Sequence, residues 1–202
     1  MASRSEATVE ATAFRPWNKS PEKRGALAPG FSSSPRTNVI YPHPSRSSNL
    51  TCVELAPQEI RTFFVTAVAA NRRRLFQTDA NANLLLDLFK DDRAKGRYQL
   101  HAFVLMPDHI HVLITPAENV SLEKAMQFIK GGFSFRLKSR MPVWEDSFTK
   151  RRIEDASDLN AHRDYIHANP VRAHLCDRAE DFPHSSANLT GAVDPMPAHL
   201  RA

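Results

Sequence analysis

Runs of β-branched and aromatic residues alternate with helical patterns from about residue 57 onward. Three of these runs predict strands, over residues 60–70, 98–106 and 109–115, because such residues fit a pleated, half-buried surface. Pro107-Asp108 predicts a tight turn between the second strand and the third. Residues 143–153 predict a fourth strand or an extended arm.

Apolar residues three and four positions apart predict three helices between and after these strands. They begin at Thr78 or Asp79, at Ser121, and at Ser157 or Asp158, and they end near Ala94, Arg140 and Asn169. The last boundary is set by Pro170, which disfavours helical geometry in the residue before it.

The element order β-α-β-β-α-β-α fits the ferredoxin-like split βαβ plan. We therefore predict an α+β fold in which an antiparallel sheet has helices packed on one face and a tyrosine-bearing helix follows at the C-terminus. The predicted domain covers residues 51–190, and residues 191–202 are expected to form a flexible C-terminal tail.

The net charge of +5 favours a polyanionic partner such as nucleic acid, but the charge is unevenly distributed. Residues 1–50 hold seven Lys/Arg and three Asp/Glu, a net of +4, which leaves +1 for the rest of the chain. These fifty residues are rich in Ser and Pro and have no apolar period, so we expect a disordered basic tail. A transit peptide is the alternative, against which Glu6, Glu10 and Glu22 count.

Several classes of protein are excluded. The two cysteines, Cys52 and Cys176, are far apart and cannot form a disulfide framework or a Cys-rich zinc site. No apolar run approaches the roughly 18 residues that span a bilayer, and the N-terminus lacks the apolar stretch of a signal peptide. We expect a cytoplasmic protein without a membrane partner.

Candidate chemistry begins with His109 and His111, which flank Ile110 on a predicted strand. Because side chains alternate between faces along a strand, both imidazoles project to the same side. Two such imidazoles can bind one divalent metal and leave positions open for other ligands. The alternative is a pair of surface histidines without a metal.

Tyr165 and Asn169 form a second candidate group, since residues four apart share a helix face. An amide oxygen is a suitable third ligand for a hard cation, and a tyrosine beside a phosphate is a suitable nucleophile. The structural alternatives are a tyrosine that packs on the sheet and an asparagine that caps the helix before Pro170.

Basic and aromatic residues are interleaved in residues 130–152, a pattern typical of single-strand binding. For Phe133 and Phe135 we favour a place in the core over stacking on DNA. The candidate DNA-contacting side chains are all Lys or Arg: Arg72, Arg73, Arg74, Lys130, Arg136, Lys138, Arg140, Lys150, Arg151, Arg152 and Arg172. A solvated helix face or a charged turn is the alternative for this set.

The run Met106-Pro107-Asp108-His109-Ile110-His111 resembles the HUH motif of the single-tyrosine transposases. Further runs resemble the branch called REP-associated tyrosine transposases, in the same order along residues 58–187: Phe128-Ile129-Lys130-Gly131-Gly132, Val143-Trp144-Glu145, Arg151-Arg152-Ile153, Tyr165-Ile166-His167-Ala168-Asn169-Pro170-Val171-Arg172-Ala173 and Pro183-His184-Ser185-Ser186.

This resemblance implies a transposase that cleaves and rejoins single-stranded DNA from hairpin-forming palindromic repeats. It implies a Mg²⁺ or Mn²⁺ ion held by His109, His111 and Asn169, with Tyr165 as the nucleophile of a 5′-phosphotyrosine intermediate that needs no ATP. Both monomers and homodimers fit the family, and the protein would be nucleoid-associated when bound to DNA. Two alternatives stay open: a catalytically silent module of the same fold that binds repeat DNA or RNA, and an unrelated metallohydrolase that uses the histidine pair.

Overall fold

The computed structural model describes residues 60–201. The predicted N-terminal tail of residues 1–50 and the predicted start of the domain at residue 51 lie outside this range. Four strands are present, β1 (Thr62–Val68), β2 (Tyr98–Met106), β3 (His109–Pro116) and β4 (Thr149–Ile153). The helices are α1 (Asp79–Ala94), α2 (Leu122–Leu137) and α3 (Ala156–Arg172), and short 3₁₀ turns lie between β1 and α1 and after α3. None of the helices in the described range has the length and apolar character to cross a membrane.

The strands form one antiparallel sheet in the order β2-β3-β1-β4, which confirms the ferredoxin-like α+β prediction. The long central strand β3 lies between β2 and β1, and the register places His111 opposite Thr66 and His109 opposite Val68. Residues directly opposite each other on an antiparallel pair share a face. One face of the sheet therefore carries both histidines together with Thr66.

The sheet is covered on both faces because its strands bury side chains in both directions. Helices α1 and α2 pack on one face over a core that includes Val65, Phe103 and Ile110. Helix α3 packs on the other face through Leu159 and Ile166, against residues such as Leu113. The predicted tyrosine-bearing helix thus lies on the histidine side of the sheet.

Helix α3 differs from the prediction at both ends. Its N-cap is Asp155, whose Oδ1 accepts a hydrogen bond from the Asp158 backbone N–H at 2.8 Å, rather than Ser157 or Asp158. At the other end the helix passes Asn169 and includes Pro170. A proline in the last turn removes only one backbone donor, and the carbonyl of Pro170 still accepts from the Leu175 N–H.

The other boundaries that differ are explained by left-handed backbone conformations. Helix α2 ends at Leu137 instead of Arg140 because Lys138 adopts φ 51°. Strand β1 ends before residue 70 because the chain enters a 3₁₀ turn in which Asn71 and Arg72 have φ 55° and 51°. Of the segment 143–153, only residues from Thr149 onward belong to a strand.

Residues 184–201 cover the free edge of β2 and part of the α3 face. His184 and Ser186 exchange backbone hydrogen bonds with Leu105 and Phe103 on that edge. Asp194 accepts hydrogen bonds from Arg93 at 2.7 and 2.8 Å, and Leu200 is buried. The expectation of a flexible tail over residues 191–202 was therefore wrong for residues 191–201, because the apolar and acidic side chains there have partners on the domain.

Candidate functional site

The two histidines of β3 lie side by side at the end of the sheet where β2 turns into β3. Their ring centroids are 4.8 Å apart, while Ile110 between them is buried in the core on the other face. His111 is buried and His109 is half-buried. The strand spacing therefore produces the shared face that the sequence predicted.

His109 is oriented by the residue before it. Its Nδ1 lies 2.6 Å from Oδ1 of Asp108 and donates to this carboxylate, which also accepts from Arg72 at 3.3 Å. Burial acts to raise the pKa of Asp108, but hydrogen bonds from His109 and Arg72 outweigh it and hold that pKa below its usual value. A carboxylate that occupies Nδ1 leaves Nε2 of His109 as the ligand atom.

His111 is held by the neighbouring strand. Its Nδ1 lies 2.7 Å from Oγ1 of Thr66, and its ring stacks on Phe64 with centroids 5.4 Å apart. Burial, and to a smaller extent His109, lowers the pKa of His111 to about 3. The imidazole is therefore neutral near pH 7, which is the form that binds a metal.

Tyr165 of α3 faces the same imidazole. The Tyr165 ring centroid is 5.7 Å from that of His111 and 5.8 Å from that of Phe64, both in edge-on geometry. Phe64 is thus a common floor for the histidine and the tyrosine, and the ring of Tyr165 is partly exposed. The structure brings together two predicted site residues that are 54 positions apart in sequence.

Asn169 lies one helical turn after Tyr165. Its Nδ2 donates to the backbone carbonyl of Tyr165 at 2.7 Å, so its Oδ1 is the atom that can act as a ligand. The guanidinium of Arg172 lies 5.4 Å from the centre of the Tyr165 ring. Among residues 60–201 no three His, Cys, Asp or Glu side chains form a metal cluster. The role of Asn169 as a third ligand stays a prediction.

Three predicted DNA-contacting residues lie on the site side of the sheet or at its end. Arg72 reaches the site through Asp108, and Arg172 does so through Tyr165. Arg151 is paired with Phe64 across the β1–β4 register and therefore faces α3, where it contacts Asp158 at 3.3 Å.

The other predicted DNA-contacting residues fall into two groups. Five have partners within the protein. Lys130 donates to the backbone carbonyls of Glu145 and Asp146, Arg73 to that of Pro142, and Arg136, Lys150 and Arg152 pair with Asp91, Glu123 and Glu154. Lys130 in particular ties α2 to the loop 145–147, which is a structural role. Arg74, Lys138 and Arg140 are exposed. Contact with DNA stays a prediction for all of them.

Sequence reasoning missed three residues that shape the site: Asp108, Thr66 and Phe64. Asp108 is predicted only as part of a turn and of the HUH-like run, without a role in the site, although its position next to a histidine is visible in the sequence. Thr66 and Phe64 alternate with Val65 on a predicted strand, which indicates that they share a face. The register that places them against His111 could not be read from the sequence.

Fold and site together define an α+β protein in which His111, one of two adjacent imidazoles, faces a helical tyrosine over the ring of Phe64. The family model described as "Transposase IS200 like" matches residues 61–169, which is more than half of the chain. The chain therefore belongs to the IS200-like transposase family, and the resemblance found in the sequence is confirmed.

Two similar proteins are informative. A Haemophilus influenzae protein named "Putative REP-associated tyrosine transposase" is 28% identical over 138 residues, which cover 61% of this chain and 78% of that protein. A solved structure of a REP-associated tyrosine transposase bound to a REP hairpin has a TM-score of 0.57 and 24% identity, and covers 67% of this chain and 82% of its own. That structural match supports the fold.

Proposed function

We propose that this transposase cleaves and rejoins single-stranded DNA with hairpin-forming repeats, and that Tyr165 forms a covalent 5′-phosphotyrosine intermediate. The observation that carries the proposal is the approach of Tyr165 to His111, with ring centroids 5.7 Å apart. The hairpin partner is inferred from the relative that was solved with a REP hairpin. Either a monomer or a homodimer is compatible with this site.

The histidine pair fits a divalent cation because each Nδ1 is occupied by another group and His111 is neutral. His109, His111 and the Asn169 carboxamide would hold Mg²⁺ or Mn²⁺, which would polarise the scissile phosphate as a Lewis acid. Imidazole ligands favour Mn²⁺ over the harder Mg²⁺.

The protein's own residues supply the nucleophile and its positioning. The Tyr165 oxygen attacks phosphorus, and the bond from phosphorus to the 3′ oxygen breaks. The phenol proton is lost to solvent and the departing 3′ oxygen gains one. Contacts with Phe64 and His111 hold the ring in place, and the exposed Arg172 beside it attracts the phosphodiester.

No nucleotide cofactor is needed because one phosphodiester is exchanged for another. The phosphotyrosine bond keeps the free energy of the broken linkage, and the 3′-hydroxyl of another strand end can attack it in reverse. Tyr165 is then regenerated, and the two DNA strands are joined.

The test uses Tyr165→Phe, which keeps the aromatic ring and removes the hydroxyl. The substrate is a 3′-labelled hairpin oligonucleotide from the flanks of the protein's own gene. With Mn²⁺ present, we expect the label to become covalently attached to the wild-type protein and to migrate with it on a denaturing gel. The same substrate labelled at its 5′ end should release a shorter free fragment. The variant should give neither product.

Tyr98→Phe is the matched control, because Tyr98 is buried in the core and its hydroxyl has no hydrogen-bond partner among the described residues. This control should retain full attachment. A covalent adduct that persists in Tyr165→Phe would refute the nucleophile assignment. Cleavage that continues in that variant without an adduct would favour the metallohydrolase alternative.

A further inference from the structure

An exposed aromatic and basic surface lies on α2, away from the histidine pair. Phe135 is 82% exposed, whereas Phe133, two positions earlier, is fully buried against Phe76 and Trp144. Met141, in the loop after the helix, is 61% exposed. The prediction that both phenylalanines belong to the core is therefore confirmed for Phe133 and wrong for Phe135, because a step of two residues turns a helix by about 200°.

Phe135 belongs to a regular stripe. Lys124, Phe128, Gly131 and Phe135 follow each other at intervals of three and four residues and so share the outer face of the helix, and Lys138 is the C-cap residue directly after its last turn. We call this set the α2 outer face. A Cβ at Gly131 would meet no atom within 4 Å, so the backbone between the two aromatic rings is open to a ligand.

The charges around the stripe are positive. Lys124 and Arg97 lie 5.2 and 4.2 Å from the centre of the Phe128 ring. Lys138 and Arg140 are exposed near Phe135 in sequence, and neither forms an ion pair within residues 60–201. Accessible rings beside cations are the chemistry that binds unpaired nucleotides, by stacking on the bases and neutralising the phosphates.

The buried side of α2 and the loop after it contact the end of the sheet that holds the site. Phe133 in the last turns of α2 packs on Phe76, whose N–H donates to the carbonyl of Pro107, in the turn that precedes His109. Arg73 binds the carbonyl of Pro142 and so joins the loop that contains Arg72 to the loop that follows α2.

We propose that the α2 outer face binds an unpaired segment of the DNA strand, with Phe135 stacked on a base. The proposal rests on the proposed function for its ligand, and it adds a binding surface on the opposite side of the sheet from Tyr165. Its occupant is single-stranded DNA rather than a second copy of the chain, because the cations that flank the rings, Lys124, Arg97 and Lys138, complement phosphates, whereas Lys is depleted in protein interfaces.

The test measures binding alone, in a Tyr165→Phe background where no adduct is expected to form. Fluorescent oligothymidylate and a blunt duplex of equal length are titrated with this protein and with versions that also carry Phe135→Ala, Phe135→Trp or Leu175→Ala. Leu175 is the control because it is an exposed hydrophobic residue outside the stripe. Removal of one stacked base contact should weaken oligothymidylate binding by about 5- to 100-fold.

Phe135→Ala should leave duplex binding unchanged, and Phe135→Trp should retain the affinity for the single strand. Unchanged oligothymidylate affinity in Phe135→Ala would overturn the proposal. The proposal would also be overturned if Phe135→Ala changed the protein from dimer to monomer, as seen by light scattering, without loss of DNA binding. A second copy of the chain would then be the occupant of the α2 outer face. This binding measurement does not depend on Tyr165 being the nucleophile. Failure of the α2 outer face proposal can therefore be distinguished from failure of the proposed function.

Discussion

Acidification should destabilise the metal-free protein through His111, by an amount that follows from its burial. The pKa of this imidazole is about 3 in the folded chain and 6.5 as the unperturbed value, and the residue is 6% exposed. The unfolded state binds the proton on His111 more readily than the folded state does. The contribution of His111 to the free energy of unfolding is therefore fully present above pH 6.5. It is lost progressively as the pH falls from 6.5 toward 3.

The magnitude is about 1.4 kcal/mol for each pH unit within that window. At about pH 5 the His111 contribution to the free energy of unfolding should have fallen by about 2 kcal/mol relative to neutral pH. Burial also lowers the pKa values of His101 and His167, so the whole protein should lose more than this. A comparison with a variant isolates the share of His111.

The assay is urea unfolding with chelator present, at about pH 7 and about pH 5. His111→Gln removes the titrating group, and His174→Asn is the control because His174 is exposed and adopts φ 55°, which asparagine tolerates. The loss between the two pH values should be about 2 kcal/mol smaller in His111→Gln than in wild type or the control. Equal losses in all three proteins would show that His111 is solvated and that the site is more open than described.

Two further predictions concern the core and the histidine pair. Phe133→Ala should lower the free energy of unfolding by about 3–5 kcal/mol, because a fully buried ring is lost from contact with Phe76 and Trp144. Phe135→Ala, at an exposed position, should change the free energy of unfolding by less than about 0.5 kcal/mol in the same denaturant titration. Similar losses in the two variants would contradict the placement of the two rings. Asp108→Ala should weaken Mn²⁺ binding by about 10- to 100-fold in calorimetric titrations, since His109 loses its Nδ1 partner, while the exposed Asp146→Ala should leave it unchanged. An unaltered affinity in Asp108→Ala would show that this carboxylate does not orient a ligand.

Local patterns predicted most of the fold because the elements are amphipathic or fully buried. Strand β2 has the predicted bounds, and α1 begins and ends where its cap and the following Gly96 indicate. The errors lie where tertiary contacts decide. Pro170 stays helical in the last turn of α3, where its side chain is buried, and residues 191–201 are ordered through contacts with Arg93 and the apolar core.

The candidate site was predictable only in part, for a similar reason. The spacing of His109 and His111 fixed their shared face, and the family resemblance selected Tyr165. The partners that orient the histidines depend on strand register and on which side chains are drawn into the interior. Thr66 is opposite His111 only because β1 and β3 pair in one particular register, and no local pattern in either strand specifies it.

The pairing of residues 184–186 with β2 has a consequence for association between chains. Strand β2 is at the edge of the sheet, and an uncovered edge strand offers unpaired N–H and C=O groups to any other extended chain. Backbone bonds from His184 and Ser186 occupy this edge, and the Ser186 hydroxyl contacts His167 of α3 at 2.8 Å. The Pro183-His184-Ser185-Ser186 motif thus protects the β2 edge from strand addition at the same point where it fastens the helix that carries Tyr165.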